Sequence, residues 1–193
     1  MIPLRRPNFN KGGVGNVFLI GIRAALESSV AQNRTAAYDD IILRYIDGKV
    51  DQWTASTDPS WTLVKTPIHT VEYAAQLKEG IHLFCEAELH GKYKAFRQAE
   101  TVHINRLNHD GTVHHEESGD FGIFIHSGGA SKDTGRFSAG CQIIENPDGY
   151  FGQPTWDNFR QPISRALSRH NITVFPYLLC DVDDVKGITG SPV

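Results

Sequence analysis

The stretch Tyr38-Asp39-Asp40-Ile41-Ile42-Leu43-Arg44-Tyr45-Ile46-Asp47-Gly48-Lys49-Val50-Asp51-Gln52-Trp53-Thr54-Ala55-Ser56 decides the fold class. Two runs rich in β-branched and aromatic residues, 38–46 and 50–56, flank the dipeptide Asp47-Gly48. Such a dipeptide accepts the positive φ angles that a tight two-residue turn requires, so the stretch predicts a β-hairpin. Downstream the same pattern recurs at about 81–88, 92–98 and 100–107, broken by His90-Gly91, by Ala99 and by the turn His109-Asp110-Gly111. Phe121 to His126 and Gln142 to Ile144 read as short strands, and Ile172 to Cys180 as a longer one. Trp156 to His170 carries Phe159, Ile163 and Leu167 at helical spacing. The expected class is therefore α+β and β-rich.

Upstream of the hairpin, residues 1–15 are rich in Pro, Gly and Asn and read as an extended arm. Asn16 caps an expected helix to about Gln32, with Phe18, Ile22, Leu26 and Val30 near one face; Val17 to Ile22 also suits a strand. Thr57-Asp58-Pro59-Ser60-Trp61 reads as a loop, either a lid or a simple turn. Residues 16–193 are expected to form one domain.

Bulk properties narrow the function. The chain has 193 residues, 40% of them hydrophobic and 21% charged, an ordinary globular balance. A formal net charge of −3 supplies no basic field, so neither nucleic acid nor an anionic membrane surface is an expected partner. The apolar run Val17 to Ile22 is too short to span a bilayer and Arg23 ends it, so no membrane insertion is expected. Arg5 and Arg6 precede that run without a cleavage site, so the expectation is synthesis in the cytoplasm without a signal peptide. Three cysteines, 85, 141 and 180, are not a disulfide framework. Cys85 and Cys180, in apolar strand-like runs, read as small buried core thiols. Among the nine histidines, His103, His109, His114 and His115 cluster without any zinc-ligand spacing, so no metal and no cofactor is expected. His114-His115 reads as a polar surface turn.

The chemistry concentrates in Gly122-Ile123-Phe124-Ile125-His126-Ser127-Gly128-Gly129, a polar loop, and Ser138-Ala139-Gly140-Cys141-Gln142. A strand delivers His126, and small residues present Cys141 fifteen positions later. A thiol needs an imidazole to take its proton before it attacks at neutral pH. Gly140 permits close backbone approach, and the N–H groups of Gly140 and Cys141 are candidate oxyanion donors. The imidazole also needs an orienting acceptor, for which Asp120 or a backbone carbonyl within Ser127–Gly129 qualifies. Arg136, in the loop, is a candidate clamp for a substrate carboxylate. Tyr93 and Phe96 line either a cleft or the core.

This segment resembles the signature of the L,D-transpeptidase family, in which a histidine and a glycine are followed, after a loop, by Ser or Thr, a second residue, Gly and the catalytic Cys. The matching positions are His126, Ser138, Gly140 and Cys141, with Gly128 after the histidine. The resemblance closely covers residues 122–144. It implies a mixed β-sheet sandwich or barrel with a few flanking helices. It further implies a thioacyl-enzyme formed on a peptidoglycan stem peptide, His126 as base and acid, and Ser138 as a hydrogen-bonding support. The chain differs at Ala139, where the family usually has His, at Gln142, where it has Arg or Asn, and at Ser127, inserted before Gly128. These differences bear on substrate choice and the acyl acceptor, which makes Gln142 and Gly128 candidate substrate-binding positions. Without a signal peptide, the expected setting is a phage particle, lysis system or secretion assembly that carries the protein to the periplasm or cell wall. A wall-peptide hydrolase with the same dyad, and a non-catalytic virion module on the same fold, are the alternatives.

Overall fold

A computed structural model describes residues 15–26, 37–66, 72–129, 134–149 and 154–186. Among these, eight strands close into a barrel in the order β1-β11-β5-β6-β9-β10-β3-β2, and three more form a small sheet, β4-β7-β8. The barrel strands are β1 (Val17–Arg23), β2 (Asp40–Ile46), β3 (Lys49–Ser56), β5 (Gly80–Leu89), β6 (Tyr93–Gln98), β9 (Phe124–Ser127), β10 (Gln142–Ile144) and β11 (Val174–Asp181). The small sheet holds β4 (Ala74–Leu77), β7 (Val102–Leu107) and β8 (Val113–Gly119). Three helices, α1 (Trp61–Lys65), α2 (Pro154–Arg169) and α3 (Val182–Lys186), complete the described chain. The molecule is a β-rich α+β protein.

The hairpin is as expected: β2 pairs β3 from Asp40↔Ala55 to Ile46↔Lys49. Asp47 and Gly48 both take positive φ, 48° and 83°, the turn whose twist matches that of the flanking strands. The strands expected within 81–107, and those ending at His126, Ile144 and Cys180, are also present.

Four expectations need correction. Residues 17–23 are a central strand, not a helix: β1 pairs antiparallel with β2 and parallel with β11, and the rest of the expected helix, 27–32, lies outside the described residues. The helical spacing was misleading because β1 is apolar on both faces, which mimics any period. Gly21 fixes its place, since a Cβ there would meet the Tyr177 hydroxyl at 2.0 Å. His114-His115 lies in β8, paired with β7 and exposed, rather than in a turn. The loop 57–60 is fully buried instead of forming a lid, and Trp61 opens α1. Cys85 and Cys180 are half-buried free thiols rather than core residues, and both alternate out of the barrel wall. Residues 1–14 of the expected arm lie outside the described residues.

The core sits between the barrel wall and α2, whose Trp156, Phe159, Ile163, Ala166 and Leu167 pack against Leu19, Ile42, Phe96 and Phe175. Pro162 lies inside α2 and lacks the N–H that would serve the Asn158 carbonyl. Arg44, projecting inward from β2, donates Nη1 to that carbonyl at 2.7 Å and also to the Phe159 carbonyl. Away from α2 the interior turns polar. Arg23 is 2% exposed and pairs with Asp58, with Glu79 and with the Leu77 carbonyl.

Candidate functional site

The parallel register of β9 and β10 builds the site: Gln142↔Ile125, Ile143↔His126, Ile144↔Ser127. Partners in a ladder project to the same side, and sides alternate along each strand. Ile125 and Ile144 belong to the core, so Gln142 also points inward, whereas Ile143 and His126 project from the outer face of the barrel wall. Cys141, two positions before Ile143, falls on that same outer face. Its sulfur lies 4.0 Å from the Gly122 carbonyl and accepts a hydrogen bond from the Phe124 backbone N–H, which sets it beside Phe124. His126 lies two residues further along β9 than Phe124. The diagonal between Cys141 and His126 is on the order of 8 Å between backbones, a span two side chains can close.

The imidazole is oriented by its own neighbour. His126 Nδ1 lies 2.8 Å from the Ser127 carbonyl oxygen. A carbonyl only accepts, so Nδ1 carries the proton and Nε2 carries the lone pair. Of the two expected orienting acceptors, the backbone carbonyl holds the position. Asp120 instead takes Arg97 Nη2 on both oxygens, at 2.6 and 2.7 Å.

Ser138 staples the turn that carries Cys141. Its hydroxyl donates to the Cys141 carbonyl at 2.6 Å and accepts the Gly140 N–H at 3.1 Å. That bond commits the Gly140 amide, so of the two candidate oxyanion donors it is the one already engaged. Gly140 itself has φ 144°, and a Cβ would approach the Ala75 carbonyl oxygen to 2.6 Å, so β4 lies directly against the turn. The Ala75 N–H donates to the Ala139 carbonyl at 3.0 Å.

The buried corner Thr57–Ser60 is the part that sequence reasoning missed. The Ser60 N–H donates to the Ser138 carbonyl at 2.7 Å, and the Ser138 N–H donates back to Ser60 Oγ at 3.1 Å. Ser60 Oγ in turn donates to the Thr134 carbonyl at 3.2 Å. A serine followed by tryptophan in a Pro-containing loop carries no signal of such a clamp.

The remaining candidates separate. Gln142 is fully buried inside the barrel, where Oε1 accepts the Tyr177 hydroxyl at 2.8 Å and Nε2 donates to the Thr57 carbonyl at 3.3 Å. It supports the wall from within. Gly128 is buried against Tyr38, whose hydroxyl oxygen a Cβ would meet at 2.1 Å. Arg136 is exposed, next to the turn. Phe96 belongs to the core, while Tyr93 is half-buried at the start of β6. His126 and Cys141 thus share a face, Ser138 supports them, and Gln142 and Gly128 serve the scaffold around them.

Electrostatically the pair is neutral at rest. Burial raises the Cys141 thiol to about 11, against the partial help of the Phe124 N–H. Burial also lowers His126 to about 4, opposed by its bond to the Ser127 carbonyl. Among the described residues, no group of three or more His, Cys, Asp or Glu side chains is placed to hold a metal ion, and no helix is long and apolar enough to cross a membrane. No family model, curated protein or solved structure matches this chain.

Proposed function

We propose that the chain is a cysteine acyl-transfer enzyme acting on peptidoglycan stem peptides, its barrel a divergent form of the L,D-transpeptidase catalytic domain. The observation that carries this reading is the shared outer face of Cys141 and His126, with Nδ1–H tied to the Ser127 carbonyl and the ring's lone pair therefore on Nε2. The resemblance of residues 122–144 to the family signature supplies the substrate class.

With both groups neutral, the proton moves only as the substrate arrives. Cys141 Sγ attacks the scissile carbonyl while its proton passes to His126 Nε2. The tetrahedral oxyanion is met by the Cys141 N–H, since the Gly140 N–H is engaged by Ser138. Collapse breaks the C–N bond, and the departing amine takes the proton from Nε2, leaving a thioester. An amine acceptor then yields a crosslink or an exchanged residue, and water yields hydrolysis. In either case the acceptor's proton passes to His126 and then to the released thiolate.

The test is incubation of the purified protein with muropeptides, followed by mass spectrometry. Expected are products whose formation stops in Cys141→Ala, with added water marking hydrolysis and added amine marking transfer. The half-buried, neutral thiol also suits a second reading, a non-catalytic module on this fold. That reading gains if muropeptides are unchanged and Cys141 alkylates no faster than a cysteine in the unfolded chain.

A further inference from the structure

One row of the outer barrel face runs across four strand positions: Cys85 pairs with Arg97 across β5 and β6, and Arg97 pairs with Phe124 across β6 and β9. Phe124 is in turn the neighbour of the Cys141 sulfur. Paired residues face the same way, so the Arg97 guanidinium, the Phe124 ring and the Cys141 thiol lie in line on one surface. Two strand spacings, about 10 Å in all, separate Arg97 from Cys141. Arg97 is 38% exposed, and Asp120 binds it through Nη2 alone. Among the described residues, Nε and Nη1 make no further hydrogen bond, so two donor sites of a fixed, planar cation remain for a ligand.

We propose that Arg97 is a specificity-determining residue of the Cys141 site, gripping a carboxylate of the acyl donor that lies two to three residues from the carbonyl under attack. The proposal rests on the reading of Cys141 as a nucleophile. In an extended peptide, two to three residues cover about 7–10 Å, the distance from the sulfur row position to the guanidinium. Phe124 is half-buried between them and forms the floor over which that peptide segment lies. The substrate class is thus a peptide that carries a free carboxylate at this spacing. Arg136, the arginine expected for this task, sits on the loop instead of the sheet that carries the dyad.

The test uses two affinity labels, bromoacetyl-diglycine and its C-terminal amide, whose bromomethyl carbon and terminal group are about 10 Å apart when extended. The rate of alkylation at Cys141 is read by peptide mass spectrometry on the intact protein. The free acid is expected to label about tenfold faster than the amide, the scale of one charge-assisted bond. Arg97→Gln is expected to remove the preference without altering the circular dichroism spectrum, because Asp120 is solvent-exposed. Arg97→Lys, retaining the charge but not the fork, is expected to keep part of it. Equal rates for acid and amide in the unaltered protein, or a preference that survives in Arg97→Gln, overturn the role of Arg97 and leave Cys141 standing. No labelling of Cys141 by either reagent removes the nucleophile itself, and the proposal with it.

Discussion

The His126 imidazole is buried and Cys141 is half-buried, and loss of solvation holds both of them neutral. A cysteine paired with a fully charged imidazolium reacts as a thiolate across the neutral range. Here the thiol is pushed up to about 11 and the imidazole down to about 4. Alkylation of Cys141 by iodoacetamide is therefore expected to climb steadily between pH 7 and 10, with no plateau in that interval. A plateau below pH 8 in a stopped alkylation series shows instead a preformed ion pair. The position of these residues was legible in the sequence, because a strand ending in His and a small-residue turn around Cys are local patterns. The orienting role of the Ser127 carbonyl was one of two readings left open. What decided it was the engagement of Asp120 by Arg97, a contact between residues 23 positions apart. The inward turn of Gln142 was not legible, since it follows from which face of a three-residue strand meets the core.

At the scale of elements, the turn that carries Cys141 belongs to the small sheet and the 57–60 corner as much as to β10. Ser60 and Ser138 exchange hydrogen bonds in both directions, and neither is solvent-exposed. Ser60→Ala strips the Ser138 N–H of its acceptor in a site that water does not reach. The expected cost is about 1–3 kcal/mol in urea unfolding, the penalty of an orphaned buried amide. An unfolding midpoint unchanged from the original protein shows that the clamp carries no weight. The elements themselves divide by how local their signals are. The β2–β3 hairpin was readable because Asp47-Gly48 states its own turn. β1 resisted reading because a strand apolar on both faces has no period, and only its two neighbours in the barrel say what it is. β8 was missed for the opposite reason: its residues are almost all polar and exposed, so nothing in Val113–Gly119 marks a strand until β7 pairs with it.

Across the whole molecule, the polar end of the barrel interior sets the response to pH. Asp40 accepts the Ala24 N–H at 2.8 Å and the Thr57 N–H and hydroxyl at 2.6 and 2.8 Å, yet burial and the nearby Asp58 raise it to about 7. Asp58 is itself poorly served: among the described residues, its Oδ2 has no hydrogen-bond partner. An acid whose folded value lies above its unfolded value binds its proton more tightly when folded. Its contribution therefore favours the fold at low pH and is lost as pH rises from about 4 to about 7. Relative to Asp40→Asn, which cannot ionise, the original protein is expected to lose thermal stability across that window, so the Tm difference between the two changes steadily from pH 4 to 7. A difference that stays constant over this range shows that Asp40 does not titrate there. Barrel closure carries a consequence of another kind. β1 and β11 lie side by side in parallel, five registered pairs from Leu19↔Tyr177 to Arg23↔Asp181, although more than 150 residues separate them along the chain. During synthesis, β1 waits for its second neighbour until β11 has left the ribosome, so the barrel stays open between β1 and β5 until then. A chain stalled before residue 174 holds the whole stretch from His126 to Cys141 without the closed barrel, so whatever that stretch does in the folded protein waits for β11.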